Sequence, residues 1–165
     1  MKLSPDTLAM TATLALLTAL GPLSTDMYLP SLPAIAKAFN ADTASTQLTL
    51  SLFLAGFAVG QIFYGPLSDR YGRKPVLLGG FAIFLIATFL CSFAPSINAL
   101  TALRFLQALG ASGPIVLARA VVRDLYEGPS AAREMSRMGT VMGLVPASAP
   151  IYRGFSKAWL GWEMS

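Results

Sequence analysis

The chain has 165 residues, 55% of them hydrophobic and only 12% charged, with a mean hydropathy of +0.61. Soluble domains carry about 25% charged residues, so this composition excludes an ordinary soluble domain and fits a protein whose solvent is lipid. The net charge of +4 would suit a nucleic-acid partner only if the basic residues gathered on one soluble face, whereas they sit mostly at the ends of apolar runs; with no histidine and a single cysteine, Cys91, there is no metal-ligand spacing, disulfide framework or His-based catalysis either.

A hydrocarbon core of about 30 Å takes about 20 helical residues at 1.5 Å each, so the length accommodates about five spans. The first apolar run, residues 8–23, invites a signal-peptide reading. It is longer than the usual apolar core of about 7 to 15 residues, and it continues through Asp26 and Tyr28 into Pro30 and Pro33 with no convincing small-residue cleavage site. It is read as a transmembrane helix over residues 7–28. Residues 29–46 then form an outside loop of zero net charge, with Lys37 and Asp42 and a short helix over 34–39.

The second helix is expected over residues 47–65. It carries Gly56 and Gly60 four residues apart, on one face, where another backbone can approach closely. Residues 65–75 concentrate charge and turn formers between two uncharged runs and read as a tight connection. The third helix follows over 75–94, Pro75 suiting a first helical turn because its missing N–H has no intrahelical partner there. After a short uncharged link, the fourth helix covers 99–122, with Arg104 toward its outer end and Arg119 in its last inner turn. A second charged loop spans 123–137. The fifth apolar run, 138–152, is broken by Arg153 and Lys157, so the span over 138–162 is a poor one whose cations must reach an interface along their own alkyl stems.

Arg70, Arg73 and Lys74 follow the second helix, and Arg119, Arg123, Arg133 and Arg137 lie at the end of the fourth or after it, while the loops after the first and third hold only Lys37. The positive-inside bias makes the amino terminus and both charged loops cytoplasmic. Two ionisable residues fall at membrane depth, where insertion scales charge about 2.5 to 3.5 kcal/mol at a helix centre and less near an interface. Asp26 is either an interfacial residue capping the Pro-rich loop or a carboxylate that alternately binds a proton and a cationic substrate. Arg104 either snorkels to the outer interface or serves as a fixed countercharge or a donor to backbone carbonyls at a helix break; Gln107, one turn on, shares its face.

The stretch Gly65-Pro-Leu-Ser-Asp69-Arg70-Tyr-Gly72-Arg73-Lys74 resembles the loop between helices two and three of the major facilitator superfamily, matching G-x-L-x-D-R-x-G-R-[RK] throughout. Asp26-Met-Tyr28-Leu-Pro30-Ser-Leu-Pro33, Arg104-Phe-Leu-Gln107-Ala-Leu-Gly110 and Arg119-Ala-Val-Val-Arg123-Asp124 narrow the likeness to the bicyclomycin-resistance type of drug:proton antiporter. The resemblance implies an all-α bundle of a bacterial inner membrane that exports amphipathic drugs as protons enter, with no cofactor and no metal. It also implies that inverted repeats make helices one and four counterparts lining a central cavity, which puts Asp26, Arg104 and Gln107 at the coupling site. In the charged loop, Asp69 would cap or pair with helix ends, Arg70 and Arg73 would form state-dependent ion pairs, and Gly65 and Gly72 would permit the turn. Arg73 and Asp124 are expected to pair in one conformational state.

Such transporters have about twelve helices. On that count the whole chain, residues 1–165, is expected to be the amino-terminal part of one, a truncated form that transports nothing without a complementary transporter half. The alternative is a non-transporting helix-bundle protein that binds a complete transporter or another membrane partner through an exposed Gly56/Gly60 face. An enzyme is not expected, since no nucleophile and base pair is apparent.

Overall fold

The computed structural model describes residues 8–126, 128–140 and 143, and among them every regular element is helical. Helix α1 is Leu8–Asp26, followed by a 3-10 turn, Leu29–Ser31, and the short helix α2, Leu32–Ala38. Three longer helices follow: α3, Thr43–Tyr71; α4, Arg73–Cys91; and α5, Ile97–Leu125. Residues 129–140 form α6. Helices α1, α3, α4 and α5 are the first four spans expected from the hydropathy pattern, and α3, α4 and α5 are each long and apolar enough to cross a membrane.

The helix ends have local causes. Asp42 caps α3, its Oδ1 accepting the Ser45 N–H at 3.1 Å, and Ser96 caps α5 in the same way, its Oγ accepting the Ala99 N–H at 3.2 Å. Each cap satisfies a donor that has no partner within the helix. Both helices run to 29 residues, about 43 Å at 1.5 Å per residue, and so project beyond the hydrocarbon.

That length corrects the expected connection over 65–75. Residues 65–71 are the last turns of α3, and the link to α4 is Gly72 alone, at φ 90°, a left-handed-side conformation that glycine adopts without a Cβ penalty. Charge does not stop a helix once it has left the hydrocarbon, so α3 continues through Asp69 and Arg70 until Gly72 reverses the chain. Gly65 is not at the turn: it lies inside α3 with open space where a Cβ would be. Pro75 is in the first turn of α4, two residues after its start. The second charged loop is corrected too, being mostly helix: α5 runs to Leu125 and α6 starts at 129. Most of the expected fifth span, 138–162, lies outside the described residues, as do residues 1–7, where the amino-terminal charges are.

Helix α5 is the hub, packing against α3, α4 and α1 and burying residues on nearly every side. Small side chains make this possible: Ala108, Gly110, Ala111, Ser112 and Gly113 are all buried on it. Tyr64 of α3 lies over Gly113 of α5 and Gly80 of α4, and it packs with Val76 and Leu117. A second apolar cluster is made by Met10 and Leu14 of α1, Ala118 and Val122 of α5, Tyr126 just after α5, and Met138 of α6. By contrast Ile62 and Phe63 of α3 and Leu78, Leu85, Ile86 and Phe89 of α4 stand exposed, the pattern of helices whose outer faces meet lipid tails.

Candidate functional site

One cluster of polar residues lies at the α1 end where Asp26 is found, around Arg104 and Gln107. Arg104 is 5% exposed, which overturns the snorkelling alternative. Its guanidinium lies between two aromatic rings, 3.6 Å from the centroid of Tyr28 and 4.5 Å from that of Phe53. The charge is turned into the bundle because these rings and Gln107 hold it there. Nη1 donates to Gln107 Oε1 at 2.7 Å, and Gln107 Nε2 donates to Thr88 Oγ1 of α4 at 2.7 Å.

On the far side of the sandwich, the Tyr28 hydroxyl is 2.6 Å from Thr49 Oγ1 of α3. The Thr49 proton is committed to the Thr46 carbonyl at 2.6 Å, so Tyr28 is the donor. A chain of contacts therefore runs Thr49, Tyr28, Arg104, Gln107, Thr88 and joins the end of α1 to α3, α5 and α4. Within it, Arg104 Nε and Nη2 have no acceptor among the described residues. These two nitrogens share one edge of the guanidinium plane, the edge that receives the two oxygens of a carboxylate. Among the described residues, no backbone carbonyl accepts from Arg104, the role expected from the sequence.

Asp26 is the last residue of α1, partly buried, and its carboxylate makes no hydrogen bond or ion pair among the described residues. No ion pair joins it to Arg104, although Tyr28, two residues on, is stacked against that side chain. Gly56 and Gly60 lie on the α3 face that meets α5. A Cβ at Gly56 would come within 2.6 Å of the Phe105 carbonyl oxygen, and one at Gly60 would strike Ser112. This corrects the expected exposed glycine face: it is closed against α5, because the missing side chains let the two backbones meet.

A second cluster lies at the Gly72 end. Arg73 Nε donates to Asp124 Oδ2 at 3.0 Å and Nη2 to Asp124 Oδ1 at 3.4 Å, a two-pronged bond across 51 positions of sequence. Arg73 Nη1 is 2.8 Å from Asp69 Oδ1 and also donates to Ser68 Oγ. One guanidinium thus ties the end of α3, the start of α4 and the end of α5. In this state Arg70 is exposed, forms no ion pair among the described residues, and lies 5.4 Å from the Tyr71 ring. Lys74 is exposed beside this cluster. Glu134 of α6, nearly buried, accepts from Arg137 at 3.2 Å.

Reasoning from the sequence did not single out Tyr28, Thr49, Phe53 or Thr88. A signal existed for two of them: Thr49 and Phe53 continue the Gly56 and Gly60 face at helical spacing, so the face that meets α5 also carries what surrounds Arg104.

The family description Major Facilitator Superfamily matches residues 14–165. The chain is 41% identical over 146 residues to the uncharacterized MFS-type transporter YdgK of Bacillus subtilis, covering 88% of this chain and 35% of that protein. It is 40% identical over 149 residues to a chloramphenicol resistance protein of Pseudomonas aeruginosa (87% and 35%), and 37% identical over 151 residues to a bicyclomycin resistance protein homolog of Haemophilus influenzae (92% and 38%). The chain therefore spans about 35% of the length of the first of these relatives. The helix order, the Gly65 to Lys74 motif and the extent of the match lead to one conclusion: the chain belongs to the Major Facilitator Superfamily, a family of membrane transporters and not of enzymes.

Proposed function

We propose that the chain forms the amino-terminal helix bundle, residues 1–165, of a multidrug exporter driven by proton antiport. It lies in a bacterial inner membrane with its amino terminus cytoplasmic, and its substrates are amphipathic small molecules. The observation that carries this reading is the buried Arg104, held at membrane depth by Tyr28, Phe53 and Gln107 with one guanidinium edge open. A permanently charged group costs too much in lipid to be placed there without a partner for that edge. Asp26, an unpaired carboxylate on the adjoining end of α1, is a suitable partner in another state of the protein.

The coupling follows from charge. In this reading Asp26 alternates between carrying a proton or a cationic drug and pairing with the open edge of Arg104, which displaces either one. At the cytoplasmic end, the Arg73 ion pairs with Asp69 and Asp124 hold α3, α4 and α5 together in this state and would have to open for the helices to shear. A complementary half of the transporter would close the central cavity between the two bundles.

The test is efflux from energised membrane vesicles by the protein in its native reading frame. Asp26→Asn should abolish proton-driven drug efflux at an unchanged membrane level of the protein. Efflux equal to the parent's would remove Asp26 from the mechanism.

A further inference from the structure

The two rings that sandwich Arg104 are not held alike. Phe53 belongs to α3, and α3 is fixed to α5 by the glycine contacts at Gly56 and Gly60, where the backbones already touch. Phe53 must therefore move with Arg104. Tyr28 belongs to the break between α1 and the 3-10 turn, its N–H bonded to the Thr25 carbonyl at 3.1 Å, so it travels with the end of α1. What retains it is the stack on Arg104 and the hydroxyl bond to Thr49. Arg104 has no counter-anion among the described residues, and one π face is replaceable while the other is fixed.

We propose that Tyr28 is a positioning residue for Arg104, the removable half of an aromatic sandwich through which the guanidinium senses whether the end of α1 is docked. With Tyr28 in place, Arg104 is held against Phe53 and Gln107, and Gln107 in turn holds α4 at Thr88. When the end of α1 leaves, the ring leaves with it, the guanidinium loses its second face, and the tie to α4 loosens. The use of this clamp in proton coupling rests on the antiporter reading above, whereas the clamp itself does not.

Cys91, the chain's single cysteine, reports on it. It is the last residue of α4, one turn beyond Thr88, and it is partly buried. The experiment measures the labelling rate of Cys91 by a membrane-impermeant maleimide added to intact cells expressing the chain. Tyr28→Leu, which removes the π face, should speed labelling about tenfold, and Tyr28→Phe should stay within about twofold of the parent. Replacing Tyr28 with 3,4,5-trifluorophenylalanine keeps the shape of Phe but drains the ring's negative face, and should label about fivefold faster than Tyr28→Phe. Equal rates for the two ring variants would overturn the proposal, since a role in packing alone is blind to ring electrostatics. That comparison decides even where Tyr28→Leu fails to accumulate. Loss of the antiport reading through Asp26→Asn leaves these labelling rates untouched, and equal labelling rates leave the Asp26 result untouched.

Discussion

Helix α5 can occupy the centre of the bundle only because α4 lies against its bare backbone at Gly110, and a single methyl group tests this. A Cβ added at Gly110 would sit 2.5 Å from Phe84 N, 2.8 Å from the Gly80 carbonyl oxygen and 2.9 Å from Phe84 Cα. All three are backbone atoms of α4, so no side chain can rotate out of the way. Nonbonded carbon contacts settle near 3.5 Å, so α4 and α5 must part locally by about 1 Å, and a gap of that size forfeits about half the dispersion energy of the neighbouring contacts. Overpacking usually costs about 1 to 3 kcal/mol, and with backbone on both sides Gly110→Ala belongs at the upper end, about 3 kcal/mol. The comparison variant is Gly79→Ala, where nothing lies within 4 Å of the new methyl group, so the better helix propensity of alanine should leave it neutral or stabilised by up to about 1 kcal/mol. Unfolding in mixed micelles with rising SDS fraction, followed by circular dichroism, ranks the two. Gly110→Ala no less stable than Gly79→Ala would refute the close α4 and α5 packing and, with it, the central position of α5.

Two further outcomes are expected. Asp124→Arg and Arg73→Asp should each lower stability in the same assay by about 1 kcal/mol, the second by more because Arg73 also serves Asp69 and Ser68, and the double reversal should recover part of the loss; no recovery would mean that the pair contributes nothing. At the other end of α3, hydrogen bonding from Ser45 holds the Asp42 carboxyl below the usual carboxylate range. A lowered folded value means that the cap stabilises α3 fully above the ordinary carboxylate value and is lost as pH falls through the lowered one. Exchange of the Ser45 amide, corrected for intrinsic rate, should therefore accelerate in acid in the parent and be fast at every pH in Asp42→Ala.

What could be read in the chain beforehand follows from which forces are local. Four spans were legible because hydrophobicity over about 20 residues is a property of the run itself, and so was the Arg73 and Asp124 pair, because two helix ends on one side of a membrane bring opposite charges within reach. Helix ends were less legible: hydropathy marks where α3 leaves the lipid near Gly65, whereas the helix stops where its hydrogen bonding stops, at Gly72. The environment of Arg104 was hidden for a different reason. Whether an arginine on a span points toward water or into the bundle depends on the rotation of its helix and on what neighbours offer, and the ring that faces it most closely comes from Tyr28, 76 positions earlier and outside any regular helix. The glycine pair on α3 was visible as a packing surface, but its partner was not, since four residues of spacing say that a backbone can approach and nothing about which one does.

The enclosure of α5 bears on how the chain enters a membrane at all. Insertion scales charge an arginine about 2.5 to 3.5 kcal/mol at the centre of an isolated span and less toward an end, where Arg104 lies, and α5 carries Gln107 as well. In the order of synthesis, α1, α3 and α4 leave the ribosome before α5, and with them come Tyr28, just after α1, Phe53 and Thr88. The receptor for the difficult helix is therefore already in the bilayer when α5 arrives, so that its integration and its docking are a single event.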